Sequence, residues 1–201
     1  MSTSGYLDSP WPGEDGGPQR LQIPRSGAGL NLQSGETLGC VTRHTLMSTM
    51  TVLGAPGEVY LLTHSVLRAN LGLPTSACVE LIDPLTLKTR CRSPRLKGGP
   101  MWPGGMAIHR NGDLYVVYGR YAHRLNRACE PLAIHRLPVD LPYNSFVILE
   151  NGLLVTKNLS DSVQARISVL DPQTLQPVCS DIECAEPSIA RLSSVGNTLY
   201  V

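Results

Sequence analysis

The chain has 201 residues, with 17 basic and 16 acidic side chains and a net charge of +1. That balance excludes the overall basic excess expected of a nucleic-acid-binding surface. No run of 18 apolar residues offers a membrane span. The first twenty residues, MSTSGYLDSPWPGEDGGPQR, lack the basic start and apolar stretch of a secretory signal, so the expected compartment is the cytoplasm.

Six cysteines (Cys40, Cys78, Cys91, Cys129, Cys179 and Cys184) form an even set, which would suit disulfides in a secreted chain. Without a signal peptide the expectation is free, mostly buried thiols. No Cys-x-x-Cys pair occurs, so a structural zinc site is not expected.

Residues 1–38 are rich in Gly, Ser and Pro, with few apolar residues and no periodicity, and read as a flexible leader. Residues 39–201 carry the folded pattern. His44 to Leu53 alternates imperfectly and is β-branched, as a strand should be. Ala55-Pro-Gly57 makes a turn into a second strand, Glu58 to Thr63. The segment His64 to Ala77 interrupts the pattern as a helical turn or a long loop, and Val79 to Ile82 resumes it before Asp83-Pro84.

The pattern is explicit from Trp102 to Asn126. Gly105-Met-Ala-Ile-His109 reads as a strand and Asn111-Gly112 as a tight turn, because both turn positions need positive φ. Leu114 to Tyr118 reads as the second strand, and a third runs towards Asn126. Later first strands begin at Ser145 and Ser188, followed by glycine turns at Asn151-Gly152 and Gly196-Asn197. Third strands end at Asp83, Asn126 and Asp171. Gly105 to Ser145 is 40 residues, Ser145 to Ser188 is 43, Asp83 to Asn126 is 43 and Asn126 to Asp171 is 45. Four short strands repeated every ~40–45 residues are the signature of a β-propeller blade. A β-sandwich also uses short strands with frequent turns, but needs no matching turn chemistry at a fixed period.

The stretch Pro103 to Val117, PGGMAIHRNGDLYVV, resembles an NHL or gluconolactonase-type blade. Glu80 to Leu87 and Ile167 to Leu175, each carrying Asp-Pro-x-Thr-Leu, resemble quinoprotein (PQQ-like) or YVTN-type blades. The resemblance spans residues 45–201 and implies an all-β, partial β-propeller. The tryptophan docking motif of PQQ-dependent dehydrogenases is absent, since the only tryptophans are Trp11 and Trp102. Three units and two strands of a fourth make an incomplete ring of about three and a half blades, since propellers typically close with 4–8. The expectation is a fragment of a longer product, a ring completed by a second copy, or a truncated frame. The edge Thr198 to Val201 would then invite self-association.

In a four-stranded meander the loops after second and fourth strands share one face. Fourth-to-first loops lie nearest the axis and contribute Trp102, Tyr143, Asn144 and Glu186. Second-to-third loops add His64, Tyr118, Arg120, Lys157, Asn158 and Asp161. Lys157 aligns with apolar Val117 and Leu62; it either lines the channel as an anion site or base, or is solvated beyond an early strand end. Asn144 and Glu186 stand where metal-dependent lactonase-type propellers place Ca²⁺ ligands, although both also sit in ordinary turn sequences. His109 and His135 fall within strands and read as structural.

The leading functional expectation is a scaffold that binds a protein or small-molecule ligand on its loop face. A Ca²⁺-dependent lactonase- or phosphotriesterase-like hydrolase is the alternative, and a quinoprotein-like oxidoreductase the third. Propellers host many unrelated activities, so the fold does not choose among them.

Overall fold

A computed structural model of the chain describes residues 4–23, 32–45, 48–64, 66–99, 104–143 and 145–201. It is all-β, built from successive antiparallel meanders. The first sheet comprises β1 (Ser48–Leu53), β2 (Val59–His64), β3 (Ser76–Ile82) and β4 (Thr89–Arg92), with β5 (Leu96–Lys97) also pairing β3. A short helix, α1 (Val66–Asn70), lies between β2 and β3. The second sheet holds β6 (Gly105–Ile108), β7 (Leu114–Tyr118), β8 (Tyr121–Leu125) and β9 (Pro131–Arg136). The third holds β10 (Phe146–Ile148), β11 (Leu154–Lys157), β12 (Ser160–Leu170) and β13 (Ile182–Ser188). A two-stranded pair follows, β14 (Ser193–Val195) with β15 (Thr198–Tyr200). None of the described helices is long and apolar enough to cross a membrane.

The repeat is visible in the turns as well as the strands. Gly112, Gly152 and Gly196 close the first hairpins with φ of 91°, 95° and 60°, the left-handed region that glycine enters at no steric cost. At the other repeated turn, Asp83 Oδ1 accepts the N–H groups of Leu85 and Thr86 at 3.0 and 2.8 Å. Asp171 does the same for Gln173 and Thr174 at 2.9 and 2.8 Å. Asn126 substitutes in the second sheet, accepting from Ala128 and Glu130 at 2.9 Å. Each of these Asx turns is followed by a residue at positive φ: Leu87, Cys129 and Leu175.

Burial falls from the first strands to the fourth. β6, β7, β10 and β11 are buried at every position, whereas β4, β9 and β13 are largely exposed. This gradient explains why the inner strands read as continuous apolar runs such as Leu-Tyr-Val-Val-Tyr while the outer ones are polar. The sheets pack face to face, and alternation assigns each side chain to one neighbour. Leu114, Val116 and Tyr118 join Val52, Leu62 and Val79 of the first sheet. Tyr115 and Val117 join Phe146, Ile148 and Leu154 of the third. Val147, Val155 and Ile167 pack on Leu192 and Leu199 beside the last pair.

Polar ties repeat along the turn edge. The Arg110 guanidinium donates to the carbonyls of Glu150 and Asn151 at 2.9 and 3.0 Å. One sheet further on, the Asn151 N–H donates to Asn197 Oδ1 at 2.9 Å.

Two expectations are corrected. Residues 4–23 are not a free leader. The Leu7 N–H donates to the Ile108 carbonyl at 2.9 Å, the Ile108 N–H to Pro12 at 2.7 Å, the Leu53 N–H to Trp11 at 2.8 Å and the Ser194 N–H to Pro18 at 2.9 Å. The segment thus touches β1, β6 and β14, and through the Tyr6 hydroxyl, which accepts the Ile148 N–H at 3.1 Å, β10 as well. Average composition concealed this, because the attachment needs few apolar side chains: it is made by backbone bonds, the Tyr6 ring and polar bonds from Ser9 to Leu53 and from Arg20 to Leu192 and Ser145. Residues 32–45, by contrast, are almost wholly exposed. The second correction concerns Ser188, which ends β13 instead of opening a first strand; Ser193–Val195 takes that role. β12 is long enough to pair with β13 as far as Ser188.

Candidate functional site

Loops after the second and fourth strands meet along one edge through hydrogen bonds to backbone carbonyls. The Thr75 hydroxyl donates to the Gly99 carbonyl at 3.0 Å, and the Arg120 N–H donates to Gly98 at 3.1 Å. The Leu137 N–H donates to Arg120, and the Leu159 N–H to Pro142, both at 2.9 Å. Gly119 makes the closest approach possible: its φ is 58°, and an added Cβ would lie 2.4 Å from the Gly98 carbonyl carbon. Only glycine permits the two-residue turn that sets Arg120 against the 98–99 loop.

Two adjoining concavities open on this edge. The first, of about 470 Å³, is walled by β2, β3 and the 92–95 segment and carries Arg43, Arg68, Arg92 and Arg95 around His64 and Glu80. The second, of about 460 Å³, shares Arg68, Ser76 and Arg95 with it and adds Lys97, Arg120, Arg136 and Asp140. Seven cations therefore face two carboxylates, a local excess of +5 in a chain whose total is +1.

Glu80 is the buried anchor of the first concavity. Burial pushes its carboxyl pKa up, but the Thr89 hydroxyl at 2.6 Å and the guanidiniums of Arg43 and Arg92 outweigh this and hold it below the usual range. Arg120 is paired with Asp140. Arg68 donates to the Pro74 carbonyl at 2.9 Å. Arg68, Arg95, Lys97 and Arg136 have no carboxylate partner among the described residues.

His64 ends β2 and is 5% exposed, its ring 5.7 Å from that of Tyr118. Neither of its ring nitrogens has a hydrogen-bond partner. Burial lowers its pKa, so the ring is neutral at pH 7 and presents one N–H donor and one acceptor.

The other candidates from sequence are not brought to this site. Lys157 is 2% exposed, not solvated: β11 continues through it, and its Nζ donates to the Ser188 carbonyl at 2.8 Å. Burial lowers its pKa. Asn158 is fully buried and braces the irregular start of β12, accepting the Arg166 N–H at 2.7 Å and donating to Gln164 at 3.2 Å. Tyr143 is also fully buried; its N–H donates to Gly119 at 2.6 Å and its hydroxyl accepts from Val139 at 3.3 Å, while burial pushes its pKa up to about 12. These are structural partnerships. Glu186 lies exposed within β13, the outermost strand of its sheet, not at an axial loop, because the β12–β13 pairing extends past it. Asn144 falls outside the described residues, as does Trp102. Among the described residues no group of three His, Cys, Asp or Glu is arranged to hold a metal ion.

The residues missed at the sequence level are Arg43, Arg68, Arg92, Arg95, Lys97 and Arg136. One signal pointed to three of them: Lys88 to Lys97, KTRCRSPRLK, holds five cations and no acid in a chain otherwise balanced.

The sequence matches no protein-family model and shows no significant similarity to any curated protein.

Proposed function

We propose that this chain is a β-propeller-type scaffold whose loop edge binds a ligand. The consecutive four-stranded meanders, their falling burial and their repeated Asx turns support a blade arrangement of the kind seen in NHL, gluconolactonase-type and quinoprotein repeats. The observation that carries the binding role is the pair of adjoining concavities along the 64–76, 92–99 and 119–121 segments, which is sized for a small molecule or a peptide side-chain cluster. Rigid inner strands hold this edge, and the variable loops supply its chemistry, the usual division of labour in repeat scaffolds.

Hydrogen–deuterium exchange of the full chain against phosphorylated sugars, acidic peptides, neutral oligosaccharides and apolar peptides tests the proposal. A ligand that slows exchange in those three segments supports it. Ligands that protect only β13 or the glycine-turn edge, or nothing at all, would refute it.

A further inference from the structure

We infer that the loop edge recognises a small ligand carrying more than one phosphate group, with oxyanions seated in both concavities. This deepens the scaffold proposal and rests on it.

Charge is the first argument. Four cations, Arg68, Arg95, Lys97 and Arg136, converge without carboxylate partners, and Arg68 and Arg95 belong to both concavities. Like charges gathered in a recess repel one another, and a concave wall of low dielectric focuses their field outward. A polyvalent anion relieves that repulsion; a single carboxylate leaves most of the excess uncompensated. Six of the seven cations are arginines, whose planar forks match phosphate oxygens two at a time.

Size is the second. Concavities of about 470 and 460 Å³ fit a compact ligand.

Isothermal titration of the full chain with inorganic tripolyphosphate and with inorganic phosphate tests the assignment. Tripolyphosphate should bind at least about tenfold more tightly, because its linked phosphates can occupy neighbouring subsites. Arg68→Gln with Arg95→Gln should weaken tripolyphosphate binding on the order of tenfold or more, since bonds to charged groups are among the strongest polar contacts. Lys88→Gln, on the opposite edge, should leave it unchanged, and melting curves check that each variant is folded. Equal losses in Lys88→Gln would overturn the inference in favour of non-specific charge. So would unaltered binding in the arginine pair, or a single-stranded oligonucleotide binding more tightly per phosphate than tripolyphosphate. A neutral ligand protecting the same loops, with no tripolyphosphate binding, would overturn the phosphate assignment and leave the scaffold standing; protection by no ligand would remove the scaffold reading itself.

Discussion

The N-terminal clasp can be tested at Tyr6, because its ring and its hydroxyl do separable work. The ring is 4% exposed and packs with Ala107, Tyr115, Phe146 and Ile148 between the second and third sheets. The hydroxyl accepts the Ile148 N–H at 3.1 Å. Tyr6→Phe keeps the ring and leaves a buried backbone donor unpaired, which costs about 1–3 kcal/mol. Tyr6→Ala removes the ring as well and creates a cavity between the sheets, with an expected cost of about 3–5 kcal/mol if the segment stays bound. That cost has a ceiling. Once it exceeds the docking free energy of residues 4–23, the segment releases and the loss stops growing. Urea unfolding gives the stability change, and amide exchange at Leu7, Ile108 and Ile148 reports whether release occurred. Graded loss from Phe to Ala, with faster exchange at those amides in the Ala variant, is the expected result. Both variants within about 0.5 kcal/mol of wild type would refute the clasp, since that is the scatter of neutral surface substitutions.

Gly5→Ala attacks the same clasp by sterics: the added Cβ would lie 2.0 Å from the Leu149 carbonyl oxygen, so the variant should show the accelerated exchange of Tyr6→Ala with the ring intact. His123 is buried and its pKa is lowered to about 4 from 6.5, mainly by desolvation. The unfolded chain therefore binds the proton first, and about 3 kcal/mol of stability present above pH 6.5 is lost as pH falls through 4; His123→Gln should flatten that part of a stability–pH profile measured by denaturant melts. Lys157 holds a buried amine against one carbonyl, so Lys157→Met should leave stability unchanged or raise it by up to about 1 kcal/mol in thermal melts, as replacing buried charge by apolar volume often does. All six cysteines are free. In a thiol titration the exposed Cys40 and Cys179 should react at once and the buried Cys78 and Cys129 only after denaturation, Cys129 being further protected because burial and the neighbouring Cys91 raise its pKa.

The strand order was legible because burial on both faces writes itself as continuous apolar runs, and the turns were legible because positive φ demands glycine or an Asx side chain. Leu114–Tyr118 coincides with its expected limits for that reason. Ser188 misled because a small residue after a proline begins first strands elsewhere, and only the length of β12 decides otherwise. Tyr6 was hidden by the polar company it keeps: one ring and a few carbonyls carry no periodicity. Lys157 stands out in the sequence because it aligns with apolar residues, and burial beside the Ser188 carbonyl accounts for it; Asn158, a loop-face candidate, braces the irregular start of β12. The arginines were invisible singly, since a surface arginine is ordinary; their meaning comes from convergence, which links Arg43 to Arg136 across 93 positions of sequence.

The cationic edge also stands where the repeat departs from itself. In the second and third sheets the second and third strands are joined by residues 119–120 and 158–159. In the first sheet the same connection runs through residues 65–75 and contains α1. A repeat that packs well with two linking residues gains nothing in stability from a longer link, because ordering each added residue costs about 1–2 kcal/mol of backbone entropy. The longer link supplies Arg68 and Thr75 beside the recess and displaces the start of β3 to Ser76. The fourth strand of the same sheet is broken into β4 and β5, which pair in turn along β3, and its second part places Arg95 and Lys97 at the rim. The longer link and the broken fourth strand thus both deliver cations to one edge, while the neighbouring sheets keep two-residue links and unbroken fourth strands.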